Sequence, residues 1–157
     1  MCEYCGCQAL DQRSELTMEH EVVLRLISEL RAAQASGDVA MMEQLARQIA
    51  AVLDPHTKVE EQGLFPALAS EFPDQMADLP AEHRRVDAVL AEASAGPPED
   101  PAWPDRLAGV LAVLRKHIFK EQDGVFPAAL ASLRTSDWEA IEAARAQAGS
   151  LLPGQCT

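Results

Sequence analysis

The sequence predicts an all-α fold, an antiparallel up-down four-helix bundle followed by a short C-terminal fifth helix. Three observations predict it. Of the 157 residues, 48% are apolar but only 4% aromatic, and Ala and Leu are abundant, which favours helices over strands. Four stripes of inward-type residues step by three and four positions, the period of a helix face turned toward a core. A long phrase also occurs twice: His56-Thr-Lys-Val-Glu60-Glu61-Gln62-Gly63-Leu64-Phe65-Pro66 returns as His117-Ile-Phe-Lys-Glu121-Gln122-Asp123-Gly124-Val125-Phe126-Pro127. A shorter phrase, Glu19-His20, returns as Glu82-His83. Such duplication reads as two αα-hairpins packed together.

Residues 1–13 are read as an irregular, Cys-rich N-terminal segment, residues 14–134 as the bundle, and residues 135–157 as a C-terminal helix and tail. The first helix begins near Ser14 or Thr17, either of which can cap it, and runs to about Ser36, where Gly37-Asp38 marks a turn. Its stripe is Leu16, His20, Val23, Ile27 and Leu30. The second helix covers Val39 to Ser70 with the stripe Leu45, Ile49, Val52, His56 and Val59, and Pro55 inside it predicts a kink. After Glu71-Phe-Pro-Asp74, the third helix runs from about Pro80, suited to a first turn, to Ala95, with Leu79, His83, Val86 and Leu90 facing in. Residues 96–101, with three prolines, form a stiff linker. The fourth helix extends from about Pro104 to Leu133 on the stripe Leu107, Val110, Leu114, His117 and Glu121. A fifth begins after Thr135 or Ser136 and ends near Gly149.

The formal charge of -12 argues against nucleic acid or an anionic membrane as a partner, since both need clustered Lys and Arg. No apolar run approaches the roughly 18 residues a membrane span needs, and no secretory signal is seen, so a cytoplasmic setting is expected. Cys2, Cys5 and Cys7 crowd the start, and Cys156 is next to last. They could hold a metal, pair as a disulfide, act as redox handles or stay reduced. Neither a G-x-G-x-x-G nor a P-loop phrase occurs, and no hydrolase triad can be assembled from histidines already committed to a helical core.

All four histidines of the chain lie on inward stripes, and two of them, His56 and His117, are followed one turn later by Glu60 and Glu121. A single His-x3-Glu is ordinarily a surface pair. Six buried imidazole and carboxylate groups are another matter, because leaving them unpaired would cost several kcal/mol per charged group. Coordination of two metal ions satisfies all of them together. Imidazole and carboxylate without thiolate suit iron, manganese or zinc. The Glu-x-x-His phrase of ferritin-like bundles is absent, since no acid lies three residues before any histidine.

Across about residues 15–132 these phrases resemble the hemerythrin-like family, the HHE cation-binding domain. An opening of the Met-Cys-x-Tyr-Cys-Gly-Cys kind is similar to actinobacterial members. The resemblance implies a four-helix bundle around two iron ions, a non-haem di-iron centre with an oxo or hydroxo bridge. It implies His20 and His56 on one iron, His83 and His117 on the other, and Glu60 and Glu121 bridging. Oxygen-carrying hemerythrins have a fifth histidine where this sequence has Asp87, and His-x4-Asp where it has His117-x3-Glu121. The departure points away from oxygen carriage and toward small oxygen species, foremost catalase-like disproportionation of H2O2, with non-catalytic sensing, binding or storage of O2, NO or iron as the alternative. Asp87, Glu61 and Tyr4 are candidates for contact with the metal or its ligands, as are Glu19 and Glu82 for the far nitrogens of the histidines, and Phe65 and Phe126 for walls of the pocket.

Overall fold

The computed structural model describes the backbone of residues 7–150 and the side chains of residues 9–150. Tyr4, Cys2, Cys5 and Cys156, and the side chain of Cys7, lie outside the described residues. The described chain consists of helices joined by turns and one irregular linker, without a strand. Helix α1 spans Cys7–Ala35, α2 Val39–Val59, α3 Phe65–Ala69, α4 Pro73–Ala91, α5 Trp103–Lys120, α6 Phe126–Ser132 and α7 Thr135–Ala148. Two π-helical turns, Glu60–Leu64 and Glu121–Val125, join α2 to α3 and α5 to α6, making two long rods. None of these helices is long and apolar enough to cross a membrane.

The order of buried residues fixes the topology. One apolar cluster holds Val23, Ile27, Leu53, Val86, Leu114 and Ile118, and a second holds Leu16, Val59, Leu79, Val125 and Phe126. Reading along the chain, α1 passes from the second cluster to the first, α2 back, α4 forward again, and α5 back. The four rods therefore alternate in direction, as the short connections require. Each histidine falls between the two clusters: His20 between Leu16 and Val23, His56 between Leu53 and Val59, His83 between Leu79 and Val86, and His117 beside Ile118. The bundle thus encloses a polar layer between two apolar ones. Among the predicted stripe residues only Val110 is less than fully buried, and Leu111 takes its place.

Several boundaries differ from the sequence reading. Helix α1 begins at Cys7 instead of Ser14 or Thr17, since residues 8–13 contain no helix breaker and the added turns set Ala9 and Gln12 against the protein. Helix α4 starts at Pro73, which occupies the first turn, while Pro80 is accommodated inside the helix. Pro55 is likewise absorbed without a break in α2. The irregularity lies one turn later, in the π segment. There Pro66 has no N–H to donate, and in an α-helix its ring would press on the carbonyl of Gln62. The wider π turn relieves this, and the Phe65 N–H bonds to the Glu60 carbonyl instead. Pro127 and Phe126 repeat the arrangement, with the Phe126 N–H on the Glu121 carbonyl.

Helix α7 breaks the internal symmetry. It lies over the first π turn, where a Cβ on Gly63 would sit 3.0 Å from Ile141 Cα and 3.4 Å from the Ala144 side chain. Among the described residues the equivalent Gly124 meets no such neighbour, and it borders an open cavity of about 300 Å³ lined by Phe72, Met76, Leu79 and Val125. Gly124→Ala is therefore expected to stabilise the metal-free protein by about 0.5–1 kcal/mol through backbone restriction. Gly63→Ala should destabilise it by pushing α7 outward. Urea melts of the two variants decide the point, and equal shifts would contradict this account of α7 packing.

Candidate metal centre

Six side chains from four helices and the two π turns converge in the polar layer. The rings of His20 and His56 pair with centroids 4.6 Å apart, and those of His83 and His117 pair at 4.7 Å. Glu60 Oε1 lies 3.2 Å from His56 Nε2 and 3.3 Å from His83 Nε2. Glu121 lies 3.1 Å from His20 Nε2 through Oε1 and 3.3 Å from His117 Nε2 through Oε2. Each carboxylate thus reaches one histidine of each pair. Two four-residue groups result, His20-His56-Glu60-Glu121 and Glu60-His83-His117-Glu121, with ligand atoms of each within 4.8 Å of one another. Either group could hold a metal ion, and the two share both glutamates.

The donor atoms are short of partners. Both glutamates are 0% exposed, and all four of their oxygens, with Nε2 of His20 and His56, are buried without a hydrogen bond of good geometry among the described residues. Nε2 of His83 and Nε2 of His117 face each other at 3.0 Å. A cation between such atoms removes the penalty of about 1–3 kcal/mol each that an unsatisfied buried polar group carries. The residues fit a pair of metal ions in number, type and placement.

The electrostatics point the same way. Burial would lower the pKa of His56, but the Glu60 and Glu19 carboxylates outweigh it and raise it to about 10. Burial likewise disfavours charged His83, yet Glu60 and Glu61 lift it to about 9. Burial opposes ionisation of Glu60, but the charge of His56 with the other neighbours holds it well below the usual carboxylate range. Without a metal, protons on His56 and His83 supply positive charge on either side of the Glu60 carboxylate.

Behind the donors stand carboxylates that fix the rings. Glu19 Oε1 is 3.0 Å from His56 Nδ1, Glu61 Oε2 is 2.7 Å from His83 Nδ1, and Glu82 Oε2 is 3.3 Å from His117 Nδ1. With Nδ1–H donating to a carboxylate, each ring turns Nε2 inward, where loss of its proton would free a lone pair for a metal. Glu61 is half-buried and serves this role although helical geometry suggests a solvated charge. Glu19 and Glu82 support the histidine of the neighbouring helix, not the one that follows them in sequence. Asp87 is exposed and belongs to neither four-residue group, because its place on α4 turns it out of the bundle. Phe126 stacks on His20 at 5.4 Å and Phe65 on His83 at 5.8 Å, forming the expected walls.

Sequence reasoning missed Arg145. It lies on α7, is 7% exposed, and grips Glu19 with both ends of its guanidinium, Nη1 to Oε2 at 2.9 Å and Nη2 to Oε1 at 2.8 Å. Burial would raise the pKa of Glu19, but hydrogen bonds from His56 and Arg145 bring it below its ordinary value. Nothing in the repeated phrases signals this residue. The only hint was an arginine on the inner stripe of the fifth helix, one turn after Ile141.

The family described as hemerythrin HHE cation-binding domain matches residues 11–129. A protein described as a DNA nickase from Nostoc sp. (strain PCC 7120 / SAG 25.82 / UTEX 2576) is 26% identical over 155 residues, which cover 96% of this chain and 43% of that protein. The chain thus spans less than half the length of that relative. No solved structure matches it.

The imidazole pKa values set a pH dependence for the metal-free protein. His56 and His83 have folded values of about 10 and 9, above the ordinary 6.5. Their contribution to stability is complete below about pH 6.5 and is lost as pH rises through 9–10. Chelator-treated protein should therefore have a lower urea midpoint at pH 10 than at pH 6.5. His56→Gln, which removes the largest of these shifts, should flatten the difference.

Proposed function

The chain belongs to the hemerythrin HHE cation-binding domain family, and from that premise we propose that it holds two non-haem iron ions and disproportionates hydrogen peroxide in the cytoplasm, two peroxides giving two waters and one O2. The observation that carries the reading is the pair of four-residue donor groups sharing Glu60 and Glu121. In this reading His20 and His56 would hold one ion and His83 and His117 the other, with Glu60 and Glu121 available to both. Bound iron would supply Lewis acidity and, as a pair, a reservoir for the two electrons that one peroxide loses and the other gains. The protein's own groups do the rest. Glu19, Glu61 and Glu82 keep the proton on Nδ1 of their histidines, so that Nε2 remains a donor. Phe65 and Phe126, buried against His83 and His20, exclude bulk water from the layer. With an exposed Asp87 in place of a fifth histidine, the donor set offers two imidazoles per ion and would leave coordination positions for a small oxygen species.

Sensing, binding or storage of O2, NO or iron without turnover is the second reading, and the same donor set supports it. The Nostoc relative adds strand cleavage of DNA as a reading of another class, favoured by similarity along nearly the whole chain. A net charge of -12 opposes the approach of a phosphate backbone.

Loading the protein with ferrous ion under nitrogen should bind two irons per chain and, at pH 7, release at least two protons, one each from His56 and His83. On peroxide addition, the loaded protein should evolve oxygen well above an equal concentration of free iron, and His117→Ala should fall to the free-iron level. Oxygen evolution no faster than free iron, with optical bands that shift on adding O2 or NO, would replace catalysis by binding. Nicking of supercoiled plasmid that His117→Ala abolishes would replace both.

A further inference from the structure

We propose that Arg145 is a positioning residue for the His20/His56 half of the centre, so that the docking of α7 and the occupancy of that half by metal are one coupled equilibrium. The inference rests on the metal reading above and extends it to a helix that contributes no donor of its own.

The chain of contacts is continuous and buried. Arg145 fixes both oxygens of Glu19, which is 1% exposed, and Glu19 Oε1 remains 3.0 Å from His56 Nδ1. A bidentate guanidinium leaves a carboxylate little freedom to rotate, so the tautomer and angle of the His56 ring are set from α7. Arg145 also donates to the Gly149 carbonyl at the end of α7, and its Nε lies 3.1 Å from Glu15 on α1. Without the guanidinium, Glu19 would be a buried carboxylate lacking its cation, and its geometry toward His56 would no longer be enforced.

The other half of the centre is held differently. Glu61 and Glu82, which face His83 and His117, are partly exposed, and the cation on Glu82 is the exposed Lys120 at 2.7 Å. Among the described residues no helix covers that half as α7 covers the first, and none comes within 4 Å of a Cβ built on Gly124, where Gly63 meets Ile141. The two halves, nearly equivalent in their donors, are thus unequal in what orients them. Coupling of this kind is reciprocal: an ion on His20 and His56 favours docked α7, and docked α7 favours that ion.

Cobalt(II), whose visible bands report coordination geometry, is the probe. Titration of the metal-free protein should show two ions per chain. In Arg145→Met one ion should bind as in the wild type and the other about 10–100-fold more weakly, with altered visible bands for that ion alone. Glu19→Gln should weaken the same ion, and the double variant should be no weaker than Glu19→Gln, because both changes cut one chain of contacts. Hydrogen exchange in the α7 amides should slow on cobalt binding in the wild type and not in Arg145→Met. Losses that add in the double variant would assign Arg145 to holding α7 and overturn the proposal, as would unchanged two-ion binding in both single variants. Failure of the wild type to bind two cobalt ions would instead overturn the metal reading itself.

Discussion

Everything in this protein is arranged around the burial of four imidazoles and two carboxylates in one layer. Apolar clusters above and below exclude water from that layer, and with it the ordinary partner of a charged group. Oxygens of Glu60 and Glu121 that find no good hydrogen bond would make a poor core if stability alone mattered. They make sense as donors held in readiness for cations. The surrounding bundle has to be rigid enough to keep like-charged groups together, which is why the layer is sandwiched and not set at the end of the rods.

The backbone yields at the points where the donors are supplied. Glu60 and Glu121 each open a π turn, and both turns precede a Phe-Pro step that an α-helix could not carry unchanged. The same few residues thus place a carboxylate in the layer, widen the helix by one hydrogen bond and set a phenyl ring against a histidine. Because the phrase occurs twice, Phe126 reaches His20 and Phe65 reaches His83, and each half of the chain walls the histidine pair that the other half helps to build.

Duplication would leave two equal sites, and α7 prevents that. Packed on the first π turn and tied to Glu19 by Arg145, it gives one half of the centre a buried, charge-compensated support. The second half keeps carboxylates that are only partly buried, Glu61 and Glu82, and a neighbouring cavity. The two donor groups, alike in their residues, are thus unequal in the burial of the carboxylates that orient them.

The sequence by itself determined the bundle, its alternation of direction and the six inward donors, because these depend on helical period and on a repeated phrase, both of which are local. His20, His56, Glu60, His83, His117 and Glu121 could each be placed by counting turns from an apolar neighbour. The tertiary structure decided what no count along one helix can reach. Glu19 supports His56 and Glu82 supports His117, each across to another helix, and Glu61 turns toward His83 although its own helix offers no reason for it to do so. Asp87 shares a helix with His83 yet leaves the layer. Arg145 meets Glu19 from the far end of the sequence. Those pairings follow from how the rods are set side by side, and from the demand that a buried charge find its partner wherever the fold brings one.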